Sequence, residues 1–390
     1  MDKNKEFVIS LTGKNSHKVL IPRGQGTLSI GTRGISKGKY DVWVEQDSVI
    51  NWDAFDVFFI GGDQKRRERS PYGDWSRWFY YSGNDTGFIE WSSKRKIEEF
   101  HWFPRADMAV DFANADICRL YIQSENGKIQ ILTGEKIVFL TLSGNLENFD
   151  IKECAKIPCL TFHPDCPKEK SAYQLPVYKT LSQATYIVIN HSPEKTAFDC
   201  ESLLQFPDLK VLELSGNMTN LSALAQLKNL GHIGLRYIPD LQDMPKLKSW
   251  SSLKSFIGYQ IEESAGKALR TELHKLKKEK SMDYANITKL RKRIWFDTEY
   301  GIPFSDWEEK AEKIAARAYK SCYHKIKKSE SEEEVHAAIT EFVMKINGLK
   351  GIETSERDNV GMAIGQLIEN SSFEISYEKW MNWFDEVRDF

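Results

Sequence analysis

No stretch of this chain approaches the roughly 18 consecutive apolar residues that a helix needs to cross a bilayer, so no membrane span is expected. Cysteine is sparse: Cys118, Cys154, Cys159, Cys166, Cys200 and Cys322 are scattered over 390 residues. That distribution fits reduced thiols in a cytosolic protein better than a disulfide framework. An excess of one charge is also missing, since 54 basic residues face 56 acidic ones. The chain as a whole therefore has no electrostatic drive toward nucleic acid or anionic lipid. After Met1–Glu6 the apolar run is too short for the core of a signal peptide, and a cytoplasmic location is the expectation.

The motifs of common chemistries are lacking too. There is no Gly-x-Ser-x-Gly elbow, no Cys-Gly-Ser-Cys context, no His-Glu-x-x-His and no EF-hand loop. Gly24-Gln25-Gly26 and Gly31-Thr32-Arg33-Gly34 sit among strands with no helix start behind them, so hairpin turns are expected there and not phosphate cradles. Cys154, Cys159, His163 and Cys166 cluster, but without tight Cys-x2-4-Cys pairs. Cys159 and His163 on one strand would lie about 13 Å apart, too far to share a metal. Neither a metal, nor a cofactor, nor a catalytic residue is assigned, and the chain is expected not to be an enzyme.

What is present divides into three expected domains, an α+β multidomain arrangement. Residues 1–108 read as β-rich and aromatic, with Phe7–Leu11, Tyr40–Val44 and Asp56–Ile60 as short strands. Six of eleven tryptophans fall here (43, 52, 75, 78, 91 and 102), and Trp in strands is expected to fill a core. Residues 262–390 read as helical. Charge with Leu and Ala from Glu262 to about Arg293 indicates one helix or a pair. Ser305-Asp306-Trp307-Glu308 and Ser331-Glu332-Glu333-Glu334 match the capping box. Val335, Ile339, Phe342 and Ile346 follow the second at helical spacing, with Gly348 as a stop. Thr354 or Ser355 is expected to cap another helix, and Trp380, Trp383, Phe384 and Val387 share a stripe on the last.

Residues 109–261 carry the most specific pattern. Leu209-Lys210-Val211-Leu212-Glu213-Leu214-Ser215-Gly216-Asn217 spaces its apolar residues at positions one, four and six and ends in Asn. Ile137-Val138-Phe139-Leu140-Thr141-Leu142-Ser143-Gly144-Asn145 repeats it, with the same Leu-Ser-Gly-Asn close. Weaker copies start at 117, 157, 184, 230 and 253, so the steps are 20, 20, 27, 25, 21 and 23 residues. The pattern resembles the strand segment of the leucine-rich-repeat family, whose period is about 20–29 residues.

That resemblance implies a solenoid in which each repeat gives one strand to a stacked core and the array binds partners on its concave sheet. Alternation along the strands then marks the outward residues. The candidate binding residues are Arg119, Tyr121, Phe139, Thr141, His163, Tyr186, Asn190, Glu213, His232, Arg236 and Tyr259. This mixture of aromatic and small polar groups suits protein recognition. The expected partner is another protein, with an immunity or antitoxin role against a toxin as the specific form. Two alternatives stay open: an enzyme with an unfamiliar site in a flanking domain, and a nucleic-acid-binding regulator using Lys65–Arg69 or the basic segment 275–293. Cys322 lacks the Cys-x-Asp context of leucine-rich-repeat ubiquitin ligases.

Overall fold

The computed structural model describes residues 4–22, 26–36, 38–57, 78–165, 171–193, 196–298, 300–304, 307–350, 352 and 354–389. It has a β-rich N-terminal and central region and a helical C-terminal stretch. Two compact units divide the chain, residues 1–293 and 294–390.

The first unit begins with β1 (Asn4–Ile9) and β2 (His17–Pro22), an antiparallel hairpin in which Phe7 faces Val19. Then come β3 (Thr27–Thr32), β4 (Val42–Val44), β5 (Trp78–Ser82), helix α1 (Gly87–Lys94), β6 (Ile97–Phe103), β7 (Met108–Asp111) and β8 (Ile117–Ser124). Next are β9 (Ile129–Thr133), β10 (Phe139–Gly144), β11 (Phe149–Cys154), β12 (Cys159–Pro164) and β13 (Tyr186–Asn190). The two-residue strand β14 (Phe198–Asp199) follows, then β15 (Val211–Ser215), β16 (Met218–Thr219), β17 (His232–Arg236) and β18 (Ser255–Tyr259). Helix α2 (Glu263–Glu279) and β19 (Tyr284–Thr288) complete it.

Twelve of these strands form one parallel sheet in the order β19-β18-β17-β15-β13-β12-β10-β8-β6-β5-β3-β4. Parallel neighbours cannot be joined by a tight hairpin, so each connection must cross back over the sheet. The crossing from β5 to β6 uses α1, and the next three use short strands, β7, β9 and β11, which form a second parallel sheet. Later ones use 3-10 turns such as Cys200–Gln205 and Leu221–Gln226, and the last uses α2. The core is filled from both sides: Leu140, Leu142, Leu212 and Leu214 from the main sheet meet Ile131, Leu146, Leu203 and Leu224 from the return segments.

The spacing of one, four and six accounts for this packing. Ile117, Leu120 and Ile122 are buried together, as are Leu209, Leu212 and Leu214, and Leu230, Ile233 and Leu235. The step after the strand explains the shared Leu-Ser-Gly-Asn. Gly144 and Gly216 have φ of +90° and +102°, and a Cβ on either would come within 2.2 Å of a neighbouring carbonyl oxygen. Only glycine fits there. The Asn that follows Gly144 then accepts a hydrogen bond from Glu147 N–H at 3.2 Å, starting the return segment.

Several expectations differ from the structure. The three domains are two units, because the pattern does not stop at 117 or 258. Ile97, Phe100 and Trp102 are buried at the same spacing in β6, which pairs with β8, and Met282, Ala285 and Ile287 repeat it in and before β19. Residues 284–288 are thus a strand and not part of a helix. Asp56 and Val57 end a 3-10 turn (Trp52–Val57) that buries Trp52 and Phe55 three residues apart, and 58–60 lie outside the described residues. Gly34, with φ of +80°, turns the chain from β3 toward a parallel neighbour, so no hairpin forms there. Of the N-terminal tryptophans, Trp52, Trp91 and Trp102 are buried, Trp43 is half-buried, and Trp75 lies outside the described residues.

Helix α3 (Arg293–Thr298) starts at the last residue of the first unit, and the second unit goes on with α4 (Glu309–Ile326), α5 (Glu332–Asn347), α6 (Thr354–Glu369) and α7 (Tyr377–Val387). Ser305 and Asp306 lie outside the described residues, and α4 is capped instead by Glu308, whose side chain accepts from Ala311 N–H. Ser331 caps α5 by accepting from Glu334 N–H at 3.3 Å, while the Glu334 carboxylate takes the Glu330 N–H and not that of Ser331. Val335, Ile339, Phe342 and Ile346 pack with Trp380, Trp383 and Phe384 in a separate core. The helix α6 starts at Thr354, but the side chains of Thr354 and Ser355 lie outside the described residues. Cys322 packs inside this core, where burial pushes its thiol up to about 12 and its Sγ, 3.3 Å from the Ala338 carbonyl oxygen, donates a hydrogen bond to it.

Candidate protein-binding face

On the face of the main sheet opposite the core, the side chains align in rows set by the parallel register. One row passes from Glu99 to Arg119, Phe139 and Cys159, and resumes through Tyr186, Val211 and His232. A second joins Tyr80, His101, Tyr121, Thr141 and Thr161, then Val188, Glu213 and Gly234. A third contains Gln123, Ser143, His163, Asn190, Ser215, Arg236 and Tyr259. All eleven candidate residues lie on this one face, because alternate residues of a strand point the same way and the strands do not slip in register.

The N-terminal half of the face is an aromatic ladder. The His101 ring stacks between Tyr80 and Tyr121 with centroids at 4.3 and 4.7 Å. His101 Nε2 contacts Glu99 Oε1 at 2.5 Å. Tyr121 donates its hydroxyl to Gln123 Oε1 at 3.1 Å and meets His163 edge-on at 6.1 Å. The Arg119 guanidinium lies 4.1 Å above the Phe139 ring, a cation–π contact that holds both side chains. His163 Nε2 is 3.4 Å from Asn190 Nδ2.

The C-terminal half is built around Glu213. Gly234, next to it in the row, has no side chain, and a Cβ there would approach Glu213 Cγ to 3.1 Å. The vacant slot lets the carboxylate lie between His232 Nε2 and Arg236 Nε, each at 3.8 Å, while Tyr186 donates its hydroxyl to Oε1 at 3.4 Å. Tyr259 sits edge-on to Tyr237 at 5.8 Å, with Arg236 6.0 Å from its ring centroid. Between Arg119 and Glu213 the strands β10, β12 and β13 carry no carboxylate, lysine or arginine on this face. At about 4.8 Å per strand, that uncharged span is about 19 Å wide.

Burial shifts the titrations here. The Tyr121 hydroxyl is raised by desolvation, and so is that of Tyr186, where Glu213 adds to the effect. Desolvation lowers His163. His232 is lowered chiefly by desolvation, with Glu213 opposing and Arg236 adding. A histidine lowered in the folded state takes up its proton more readily when unfolded. The stability it supports is complete above the ordinary value of 6.5 and declines as pH falls below it. Acidification through that window should therefore lower the melting temperature of the first unit, and His163→Gln with His232→Gln should flatten the slope. Thermal unfolding at a series of pH values measures it, and an unchanged slope in the double variant would refute the assignment.

Glu99 and His101 belong to this face but lie before the repeats read from the sequence. Their signal was present: Ile97-x-x-Phe100-x-Trp102 stands 20 residues before Ile117. The basic segment 275–293 spans the end of α2 and the strand β19. Lys277 donates to the Ala285 carbonyl, and Lys280 to those of Trp250 and Ser251. Lys65–Arg69 lies outside the described residues. Grooves of 440 to 910 Å³ occur along the return segments, and the outward rows line none of these four. Among the described residues no group of three or more His, Cys, Asp or Glu side chains is placed to hold a metal, and no helix is long and apolar enough to cross a membrane. Comparison with known proteins finds no matching family model, no matching curated protein and no matching solved structure.

Proposed function

We propose that this chain is a non-enzymatic, protein-binding protein of the leucine-rich-repeat type, and that the outward rows of its parallel sheet are the binding surface. On this reading the main sheet is the inner wall of a short solenoid, with the return segments as its outer wall. One observation carries the proposal: a broad sheet face whose aromatic side chains are already held by their neighbours. Tyr121 is stacked and hydrogen-bonded, Phe139 lies under Arg119, and Tyr186 is tied to Glu213. Side chains fixed before binding lose little further entropy on complex formation, and buried aromatics with arginine dominate the energy of protein interfaces.

The specific form we propose is immunity or antitoxin action, in which the face covers a cognate toxin and blocks it sterically. The reading is tested by affinity purification from the native host, followed by mass spectrometry. A stoichiometric partner whose activity falls when the chain binds supports it. A chain that emerges alone under every growth condition counts against it.

A further inference from the structure

Among the described residues, the strands at the two ends of the main sheet are β4 and β19. In β19, Tyr284 N–H bonds to the Lys254 carbonyl and Thr288 accepts from Gln260 N–H, so 284, 286 and 288 face β18. Ala285 and Ile287 must then turn their backbone groups to the side away from β18. Both carbonyls are taken. Lys277 Nζ donates to Ala285 O at 2.6 Å and Arg270 Nε to Ile287 O at 3.1 Å, from two positions seven residues apart on α2.

The opposite edge is treated the same way. Val44 accepts from Arg33 N–H at 2.9 Å, so Val42 and Val44 face β3 and Trp43 faces outward. His17, the first residue of β2, donates its Nε2–H to Trp43 O at 2.7 Å. Three side chains from outside the sheet thus occupy outward carbonyls at both ends of it.

A parallel sheet with two open ends is a template for its own continuation. β19 of one copy beside β4 of the next would extend the same strand direction head to tail, a contact that does not close on itself. Proteins blunt such edges with charged side chains, lysine above all. We infer that His17, Arg270 and Lys277 seal the two edges of this sheet, and that the partner they exclude is a second copy of this chain. The inference rests on the edge geometry alone and is independent of the binding face.

The test uses the full chain and sedimentation over a concentration series. His17→Ala opens one edge, and Arg270→Ala with Lys277→Ala opens the other. The triple variant should self-associate at least about tenfold more strongly than the parent and grow beyond dimers. Mixing the two partly opened chains should give a 1:1 species that stops there, since its outer edges stay sealed. Ala285→Pro, which removes only an edge-facing N–H, should return the triple variant to the parent's behaviour. A folded triple variant that sediments like the parent overturns the inference. If the triple variant loses its fold, the mixture decides, and absence of the 1:1 species overturns it as well.

Discussion

Replacing Gly216 with alanine should destabilise the first unit by about 3 kcal/mol or more, although only one methyl group is added. The residue has φ of +102°, and an added Cβ would sit 2.2 Å from the His191 carbonyl oxygen and 2.5 Å from its carbon. Neither atom can yield easily. His191 is buried, its N–H bonds to Ser215 O at 3.0 Å, and its Nε2 lies 2.6 Å from Thr196 O. Gly216 N–H itself bonds to the Arg236 carbonyl at 3.1 Å, so a shift of the turn would disturb β17 too. For a unit of this size the loss corresponds to a fall in melting temperature of roughly 5 °C.

Gly231→Ala is the matched control. No atom lies closer than 3.5 Å to its added Cβ, and its φ is ordinary, so a change within about 0.5 kcal/mol is expected. Equal effects at the two glycines would mean that the turn does not impose the Leu-Ser-Gly-Asn signature. The equivalent positions in later strands carry Tyr237, Gln260 and Lys289 at φ near +50°. There the turn is tight enough to be left-handed but stays within reach of an ordinary residue.

Trp102→Ala should cost about 4 kcal/mol, and its pattern of unfolding matters as much as its size. The indole is fully buried, packs edge-on against Phe88 at 5.2 Å, and donates Nε1–H to the Gly83 carbonyl at 2.9 Å. Truncation leaves a cavity and an unsatisfied carbonyl together. Because Trp102 lies beside Tyr81 and Ile122 in one continuous sheet, the whole transition of residues 1–293 should move to lower temperature. Loss of structure confined to the first hundred residues, with β8–β19 melting as before, would show that a domain boundary exists near 108 after all.

The repeat spacing was legible because apolar residues at one, four and six leave a periodic trace wherever their neighbours are polar. Leu209–Asn217 and Ile137–Asn145 show it plainly, and the pleat fixes which residues point outward once the strands are placed. The same spacing was obscured at both ends by composition. In β6 the buried positions are Ile97, Phe100 and Trp102 with Glu98, Glu99 and His101 between, so the aromatic content read as a separate domain. Around β19, charge with Leu and Ala from Glu262 to about Arg293 read as one helix or a pair. Lys277 instead reaches a carbonyl of β19 and Lys280 the turn carbonyls of Trp250 and Ser251, a tertiary use that local pattern does not encode. The cluster at Glu213 was half visible: the residue was placed on the face, but its position between His232 and Arg236 depends on Gly234 being empty beside it. That is a cross-strand relation, and it appears only when the register is known.

The proposed binding role of the outward rows is tested most directly by measuring partner affinity for the variant carrying Tyr121→Ala, Phe139→Ala and Tyr186→Ala, beside a control with substitutions on the return segments. With folding unchanged by circular dichroism, the face variant should lose about three powers of ten in affinity, because pre-held aromatic anchors carry most of an interface's energy. The control should bind as the parent does. An unchanged affinity in the folded face variant would contradict the account and place the partner elsewhere on the chain.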